Sequence, residues 1–161
     1  MSEDILEYSG DLQIETLKLV STTRQIVDLD DYLVELNIME DIFNNFLYGQ
    51  IQLSDSRNLI SDLNIIGEEY LIIKLKTPSI DKYFEKTFRV YAVTDRQTVK
   101  DNNTQLYTLH FCSFEAIVDM NTPLYKPFKG RIADIVEQIF LDFLEVPRTY
   151  VIEDPDQLKP S

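Results

Sequence analysis

The stretch IQLSDSRNLISDLNIIGEEYLIIKLKTP, residues 51–78, decides the fold of this chain. Two runs typical of β-strands flank a connection that carries too many apolar residues for an ordinary surface loop. Within it Leu59 and Leu63 stand four residues apart, so a helical turn places both on one face. The preceding SDSRN segment offers side chains that cap such a turn, and Gly67 can adopt the positive φ that leads into the next strand. We therefore expect this connection to plug one end of a β-barrel.

Alternation of apolar and polar residues with a period of two dominates the first two thirds of the chain and predicts antiparallel strands. In residues 105–113, QLYTLHFCS, one face carries Tyr107, Leu109 and Phe111. The pattern predicts about six strands, and a twisted sheet of that size usually curls into a barrel or sandwich.

Local details of this pattern give further expectations. A change of phase within residues 12–20 predicts a β-bulge in the first strand. Strict alternation in later strands places Val34 and Ala92 on apolar faces. The polar segments at residues 77–83 and 95–103 are predicted to be hairpin loops.

The last third of the chain changes to a helical period. Residues 130–143 are predicted to form one amphipathic helix, which Gly130 can begin and which Pro147 follows. A shorter helix is expected at residues 114–120. The apolar face of the longer helix is predicted to be a core face, and its members are Ile132, Ile135, Val136, Ile139, Phe140 and Phe143.

The fold class that these patterns predict is mainly β (α+β): an antiparallel β-barrel with one amphipathic helix and a short helical segment packed on it. The barrel domain is expected to span residues 12–152, with flexible ends at residues 1–11 and 153–161. The length of 161 residues suits one such domain, and 44% apolar residues can fill one core.

Charge and composition argue against several classes of function. Twenty-eight acidic residues against 15 basic ones leave a net charge of −13, and such a surface repels the phosphates of nucleic acids. The single cysteine, Cys112, excludes an internal disulfide and a four-cysteine zinc site, and it suits a reducing compartment. No run approaches the roughly 18 apolar residues of a membrane-spanning helix, and the acidic N-terminus lacks the features of a signal peptide. We expect no membrane partner.

Residues that could act in catalysis are few. His110 and Cys112 lie two apart on one strand face, but a Cys–His pair also needs a third group that orients it. Glu68 and Glu69 are adjacent before a strand and should point to opposite faces, which does not suit an acid–base pair. We assign no catalytic residue and expect a protein that is not an enzyme, with a hydrolase using His110 or Cys112 as an alternative.

Sites for metals and cofactors find equally little support in the sequence. The run Asp28, Asp30 and Asp31 lacks the glycine and the closing glutamate of a calcium loop, and we interpret it as a solvated turn. Four glycines in the whole chain argue against a glycine-rich phosphate loop. We expect no metal and no cofactor.

The segment from Leu47-Tyr48-Gly49 through DSRNLI and IIGEEYLIIKLKTP resembles the N-terminal region of baseplate hub proteins of contractile-tailed phages. Further along, hairpin strands lead to HFCSFEAIVDMNTPLYKPFKGRIADIVEQIF, where that family has a strand, a short helical segment, a linker and an amphipathic helix. The resemblance covers residues 12–145. The positions that carry its motif are expected to be structural, and they are Gly49, Asp55, Asn58, Leu59 and Gly67.

The resemblance implies a structural virion protein. Hub proteins of this family carry tail-tube-like β-barrel domains and assemble as trimers, and two such domains in each chain make a pseudo-six-fold ring that joins the tail tube to the central spike. The implied partners are other hub subunits, the tail tube protein and the spike, without stable binding of nucleic acid. The implied location is the baseplate of the phage tail, in a virion assembled in the host cytoplasm.

The length departs from the family plan, because 161 residues hold one barrel and its helix and leave no room for a second barrel. We expect either a fragment of a longer hub, which the polar ending DPDQLKPS favours, or a short relative whose second half lies on another chain. An unrelated β-barrel adaptor or assembly chaperone is the main alternative function.

Overall fold

The structure, a computed structural model, describes residues 12–44, 46–77, 83–99, 104–123, 125 and 127–144. The chain forms two compact units, Met1–Phe114 and Glu115–Ser161. The predicted flexible ends, residues 1–11 and 153–161, lie outside the described residues. The predicted domain bounds of 12–152 stay a prediction.

Seven antiparallel strands form one curled sheet, a half-barrel, in the first unit. The strands are β1 Gln13–Val20, β2 Ile26–Asp28, β3 Leu33–Met39, β4 Tyr48–Asp55, β5 Tyr70–Lys76, β6 Phe84–Val99 and β7 Thr104–Ser113. Their order across the sheet is β2-β1-β5-β6-β7-β4-β3. The predicted mainly β, antiparallel fold is confirmed.

Short helices accompany the sheet. A single 3-10 turn, Asp30–Tyr32, links β2 to β3, and α1, Leu59–Asp62, lies between β4 and β5. Helix α2, Phe114–Asn121, is the predicted shorter helix. Helix α3 spans Ile132–Ile139 and continues as a π-helical turn over Phe140–Leu144. Within the described ranges, no helix is both long enough and apolar enough to cross a membrane.

The predicted longer helix exists, but it begins two residues later than residue 130. Gly130 has a φ of +138°, a conformation outside the helical region, so it precedes the helix instead of starting it. In this second unit the rings of Phe128 and Phe143 meet edge to face, 6.1 Å between centroids. Ile132 is 78% exposed. The assignment of the apolar helix face to a core, and the packing of the helix on the sheet, stay predictions.

One face of the half-barrel carries the hydrophobic core. On β7, Tyr107, Leu109 and Phe111 are fully buried, as their alternation predicts. Neighbouring strands contribute Leu17, Leu19, Ile51, Leu53, Leu71, Ile73, Phe88 and Val90. Because each fully buried side chain of this kind is worth about 1.5–3 kcal/mol, this face supplies most of the stability of the sheet.

β-Bulges adjust which side chains reach the core. The predicted bulge in β1 is confirmed, since the register shifts between Ile14 and Thr16. A second shift, between Leu33 and Glu35 in β3, leaves Val34 exposed. The predicted apolar-face position of Val34 is therefore wrong, because an extra residue in one strand reverses the alternation that follows it.

A third bulge corrects the interpretation of β6. The register shifts between Val90 and Ala92, so Val93 stands opposite Leu109 on the core side. Val93, and not Ala92, packs against the core cluster. The reason is again the additional residue, which moves every later side chain to the opposite face.

Strand β6 is also longer than the sequence predicts. Residues 95–99 continue the ladder with β7, where Gln97 pairs with Leu106 and Val99 with Thr104. The predicted hairpin loop at residues 95–103 is therefore wrong over 95–99, because pairing with β7 satisfies a backbone whose side chains are polar. The other predicted loop, at residues 77–83, lies mostly outside the described residues.

The connection between β4 and β5 crosses the end of the core. These two strands are separated in the sheet by β6 and β7, so residues 56–69 must pass across the ends of both. Along the way Leu59, Leu63 and Ile65 become buried and join the core cluster. The apolar plug that the sequence predicts is confirmed.

The buried carboxylate of Asp55 holds the start of this crossing. It accepts hydrogen bonds from the backbone N–H groups of Arg57 (2.8 Å) and Leu59 (2.6 Å). Asn58 stands immediately before α1 but makes no capping bond with its side chain. The capping expected from the SDSRN segment therefore comes from Asp55, whose charge is compensated by N–H donors that α1 leaves without helical partners.

The buried carboxylate of Glu69 holds the end of the crossing. It accepts hydrogen bonds from the backbone N–H groups of Ile66 (2.8 Å), Gly67 (3.0 Å) and Glu68 (3.1 Å). The carbonyl oxygen of Glu69 accepts a further bond from the N–H of Val90 in β6. The carboxylate thus satisfies three donors of a tight turn and fastens that turn to the sheet.

The two adjacent glutamates allow a matched test of this turn. Glu69→Ala should lower the free energy of unfolding by at least about 2 kcal/mol, because three N–H groups lose their acceptor. Glu68→Ala should change it by less than about 0.5 kcal/mol, because its side chain is mostly exposed and lies 4.0 Å from Arg89. Urea denaturation of both variants measures the difference. Equal losses would contradict the role of Glu69.

Candidate functional site

Three of the family-motif residues meet at the plugged end of the half-barrel. Asp55 and Leu59 are buried there, and Asn58 lies between them with a left-handed φ of +60°. The side-chain oxygen of Asn58 accepts a hydrogen bond from Gln105 (3.2 Å), which in turn accepts one from Arg96 (2.9 Å). These polar contacts connect α1 to the β6–β7 ribbon, so the cluster fixes geometry at this end.

The two motif glycines are required for different geometric reasons. Gly49 in β4 lies against the ring of Phe111, and a Cβ there would overlap that ring and the carbonyl oxygen of Asn37. Gly67 has a φ of +92°, and a Cβ there would stand 3.2 Å from the carbonyl oxygen of Tyr91. The structure keeps these glycines apart from each other, and each serves the packing of its own strand or turn.

His110 and Cys112 share the outer face of β7 but do not form a catalytic pair. The Nε2 atom of His110 bonds to the hydroxyl of Thr94 (2.8 Å), and that hydroxyl donates to Asp95 (2.9 Å). His110 therefore donates to Thr94 and is not available as its base. Burial raises the pKa of the Cys112 thiol, which favours the thiol over the nucleophilic thiolate.

The run Asp28, Asp30 and Asp31 forms a turn between β2 and β3. Asp28 accepts a hydrogen bond from the backbone N–H of Asp30 (3.1 Å). Burial, and then the neighbouring carboxylate of Asp28, raise the pKa of Asp30. Among the residues that the structure describes, no group of three or more His, Cys, Asp or Glu side chains could hold a metal ion.

The end of the half-barrel opposite the plug contains an apolar cleft of about 300 Å³. Five side chains line it, and they are Leu12, Leu36, Ile38, Leu75 and Phe84. Leu36 and Ile38 belong to β3 at one edge of the sheet, whereas the other three come from β5 and from the first residues of or before β6 and β1. The cleft therefore lies at the seam where the curled sheet remains open.

The edges of the sheet are the second feature of this region. Strand β3 pairs with β4 on one side, and no described strand pairs with its other side. Strand β2 covers only Lys18–Val20 of β1, so the described pairing leaves the first half of β1 without a neighbour on that side. Such edges can accept a strand from another chain.

The turn between β3 and β4 projects two large apolar side chains. Ile42 is 90% and Phe43 is 92% exposed. Asp41 fixes this turn, because its carbonyl oxygen accepts the N–H of Asn44 (3.0 Å) and its carboxylate accepts the N–H of Phe43 (2.9 Å). Sequence reasoning missed this feature, and the Ile-Phe pair within the acidic EDIFNN segment was its only signal.

The buried phenol of Tyr107 makes the plugged end sensitive to alkaline pH. Burial raises the pKa of Tyr107, and the nearby carboxylate of Asp55, 3.4 Å from the hydroxyl, raises it further. The folded chain therefore holds this proton more tightly than the unfolded chain does. The resulting stability is complete below the unfolded pKa of about 10 and is lost as the pH rises through the raised pKa.

We expect Tyr107→Phe to reduce the loss of stability that the native chain suffers above pH about 10. At neutral pH the change should cost about 1 kcal/mol or less, because the lost hydrogen bond is long. Thermal unfolding between neutral and alkaline pH measures both effects. Tyr125→Phe removes the hydroxyl of a side chain that is 91% exposed and should retain the native alkaline loss; equal curves for the two variants would contradict the assignment.

The feature with the clearest potential for function is thus a contact surface at the open end of the half-barrel. It comprises the apolar cleft, the outer side of β3 and the turn that carries Ile42 and Phe43. Comparison with known proteins assigns no family to this arrangement: no protein-family model matches the chain, and no curated protein matches its sequence.

Proposed function

We propose that this chain is a structural subunit of the baseplate hub of a contractile-tailed phage. It supplies one barrel unit to the ring that connects the tail tube to the central spike. The observation that carries the proposal is a half-barrel whose edge strand β3 has no partner on its outer side among the described strands. The resemblance of residues 12–145 to hub proteins gives that open edge an occupant, the neighbouring unit of a ring.

The packing of the half-barrel supports a role in contacts. Tyr107, Phe88 and Phe111 are the largest fully buried side chains, and they fill the inner face together with the plug from residues 56–69. A barrel filled by its own side chains acts through its rims and outer surfaces. The open end is the part of the described structure where apolar surface remains available.

The alternative of a hydrolase has weaker support. It depends on His110 and Cys112, and the contacts of these residues favour structural roles, since His110 bonds to Thr94 and burial raises the pKa of Cys112. An adaptor or assembly chaperone would use the same open edge as a hub subunit. The arrangement of copies in the finished assembly distinguishes the two.

Electron microscopy of particles assembled with the tail tube and spike proteins tests the proposal. The hub function requires this chain in a three-fold or six-fold ring between the tube and the spike. A chain that associates with a tail protein during assembly but is absent from finished particles would be an adaptor or chaperone, and the hub proposal would fail.

We expect the isolated chain to be monomeric or weakly associating in dilute solution. Each chain contributes one barrel unit, so ring closure needs six copies or a partner that carries the other half. Stable association usually buries more than about 1,000 Å² in total, and a net charge of −13 adds repulsion between copies at low salt. Size exclusion coupled to light scattering measures this state. A tight trimer whose mass does not change on dilution would contradict the expectation.

We also expect no measurable binding of duplex DNA at physiological salt. A ring through which a genome passes should not hold phosphate, and a net charge of −13 provides few clustered cations for release of counterions. Fluorescence anisotropy with a labelled duplex measures binding. Micromolar affinity with a steep dependence on salt would overturn this prediction.

A further inference from the structure

The turn at residues 41–44 has the properties of an inserting element. Its two apolar side chains, Ile42 and Phe43, stand almost entirely in solvent. Two hydrogen bonds to Asp41 fix the backbone that presents them. A rigid aromatic anchor loses little conformational entropy on binding, and anchors of this type dominate the energetics of interfaces.

The apolar cleft has the size and lining of a receiving site for such an element. A cavity of about 150 Å³ with similar lining accepts benzene, so a cleft of about 300 Å³ has room for the ring of a phenylalanine and part of a branched neighbour. Its lining consists of leucine, isoleucine and phenylalanine side chains. The high exposure of Phe43 shows that the turn of the same chain does not fill it.

Charges around the two surfaces are complementary. Glu40 and Asp41 accompany the turn. On the opposite side, Lys74 and Lys76 flank the cleft residue Leu75, and their ammonium groups lie 4.5 and 5.4 Å from the ring of Tyr83. On a chain with a net charge of −13, a basic rim beside an apolar cleft favours an acidic apolar partner. The turn of another copy has this chemistry.

We infer that the turn at residues 41–44 of one copy inserts Phe43 into the apolar cleft of the next copy. The occupant of the cleft is thus a second copy of this chain. Because the turn and the cleft are different surfaces, the contact is one-way, and repetition of it generates a ring or a filament. The inference rests on the proposed function for the closure of that ring, whereas the pairwise contact stands on the geometry alone.

The expected strength of a single contact is low. An inserted aromatic side chain buries about 150–250 Å², well below the roughly 1,000 Å² of a stable interface. The contact therefore agrees with a monomer in dilute solution, and copies held together in a ring would add the edges of β3 and β1 to it.

Methyl NMR of isotope-labelled chain tests the contact. Between about 10 μM and about 1 mM, a range that suits weak association, the methyl signals of Ile42, Ile38 and Leu75 should shift with concentration. Phe43→Asp should abolish these shifts, with a loss of affinity of about thirtyfold or more. Ile26→Asp, which removes a 64% exposed apolar side chain from β2, is the matched control and should leave them unchanged.

A mixing experiment separates insertion from other effects of the substitution. Labelled Phe43→Asp chain keeps its cleft, so unlabelled native chain should shift its Ile38 and Leu75 signals, and unlabelled Phe43→Asp chain should not. Unlabelled Ile26→Asp chain should act like the native chain. Cleft signals that ignore the native turn, or that show contacts to residues of their own chain at every concentration, would overturn the inference.

The two proposals can fail separately. If the methyl shifts follow Phe43 but finished tails contain no ring of this chain, the contact stands and the hub function fails. If Phe43→Asp chain still forms rings with unchanged stability between tube and spike, the hub function stands and the insertion of Phe43 is wrong.

Discussion

Two buried carboxylates, Asp55 and Glu69, collect backbone N–H groups at the two ends of the crossing between β4 and β5. The rest of the half-barrel depends on this constraint, because β4 and β5 are not neighbours and only the crossing sets their separation. Burial of each charge is tolerable since several N–H donors compensate it. With the crossing fixed, its leucine side chains close one end of the core.

Closure of one end gives the half-barrel a direction. The plugged end is joined by polar contacts among α1, β6 and β7, whereas the opposite end keeps an apolar cleft and a projecting apolar turn. A unit with two different ends is suited to one-way contacts, and such contacts build rings and filaments. The physical link between fold and proposed function is therefore the asymmetry that the crossing imposes.

The acidic balance of the chain acts on assembly as well as on solubility. Copies repel one another at long range, so weak pairwise contacts form only where local charge is favourable. The lysines beside Leu75 provide such a place, with Lys74 also paired to Glu15 at 2.8 Å. Attraction at one rim and repulsion elsewhere would select one orientation of neighbouring copies.

The sequence by itself determined the type and order of the elements. Period-two alternation specified strands such as β7, the apolar connection specified the plug, and helical periodicity specified α3, because these signals depend on residues close in the chain. Tertiary structure decided what depends on distant partners. The bulges that expose Val34 and bring Val93 to the core arise from pairing with β4 and β7, and the choice of Glu69 over Glu68 as the buried acceptor follows from the geometry of the turn. The cleft could not be predicted for the same reason: its side chains come from four strands or their ends, and only the curl of the sheet brings them together.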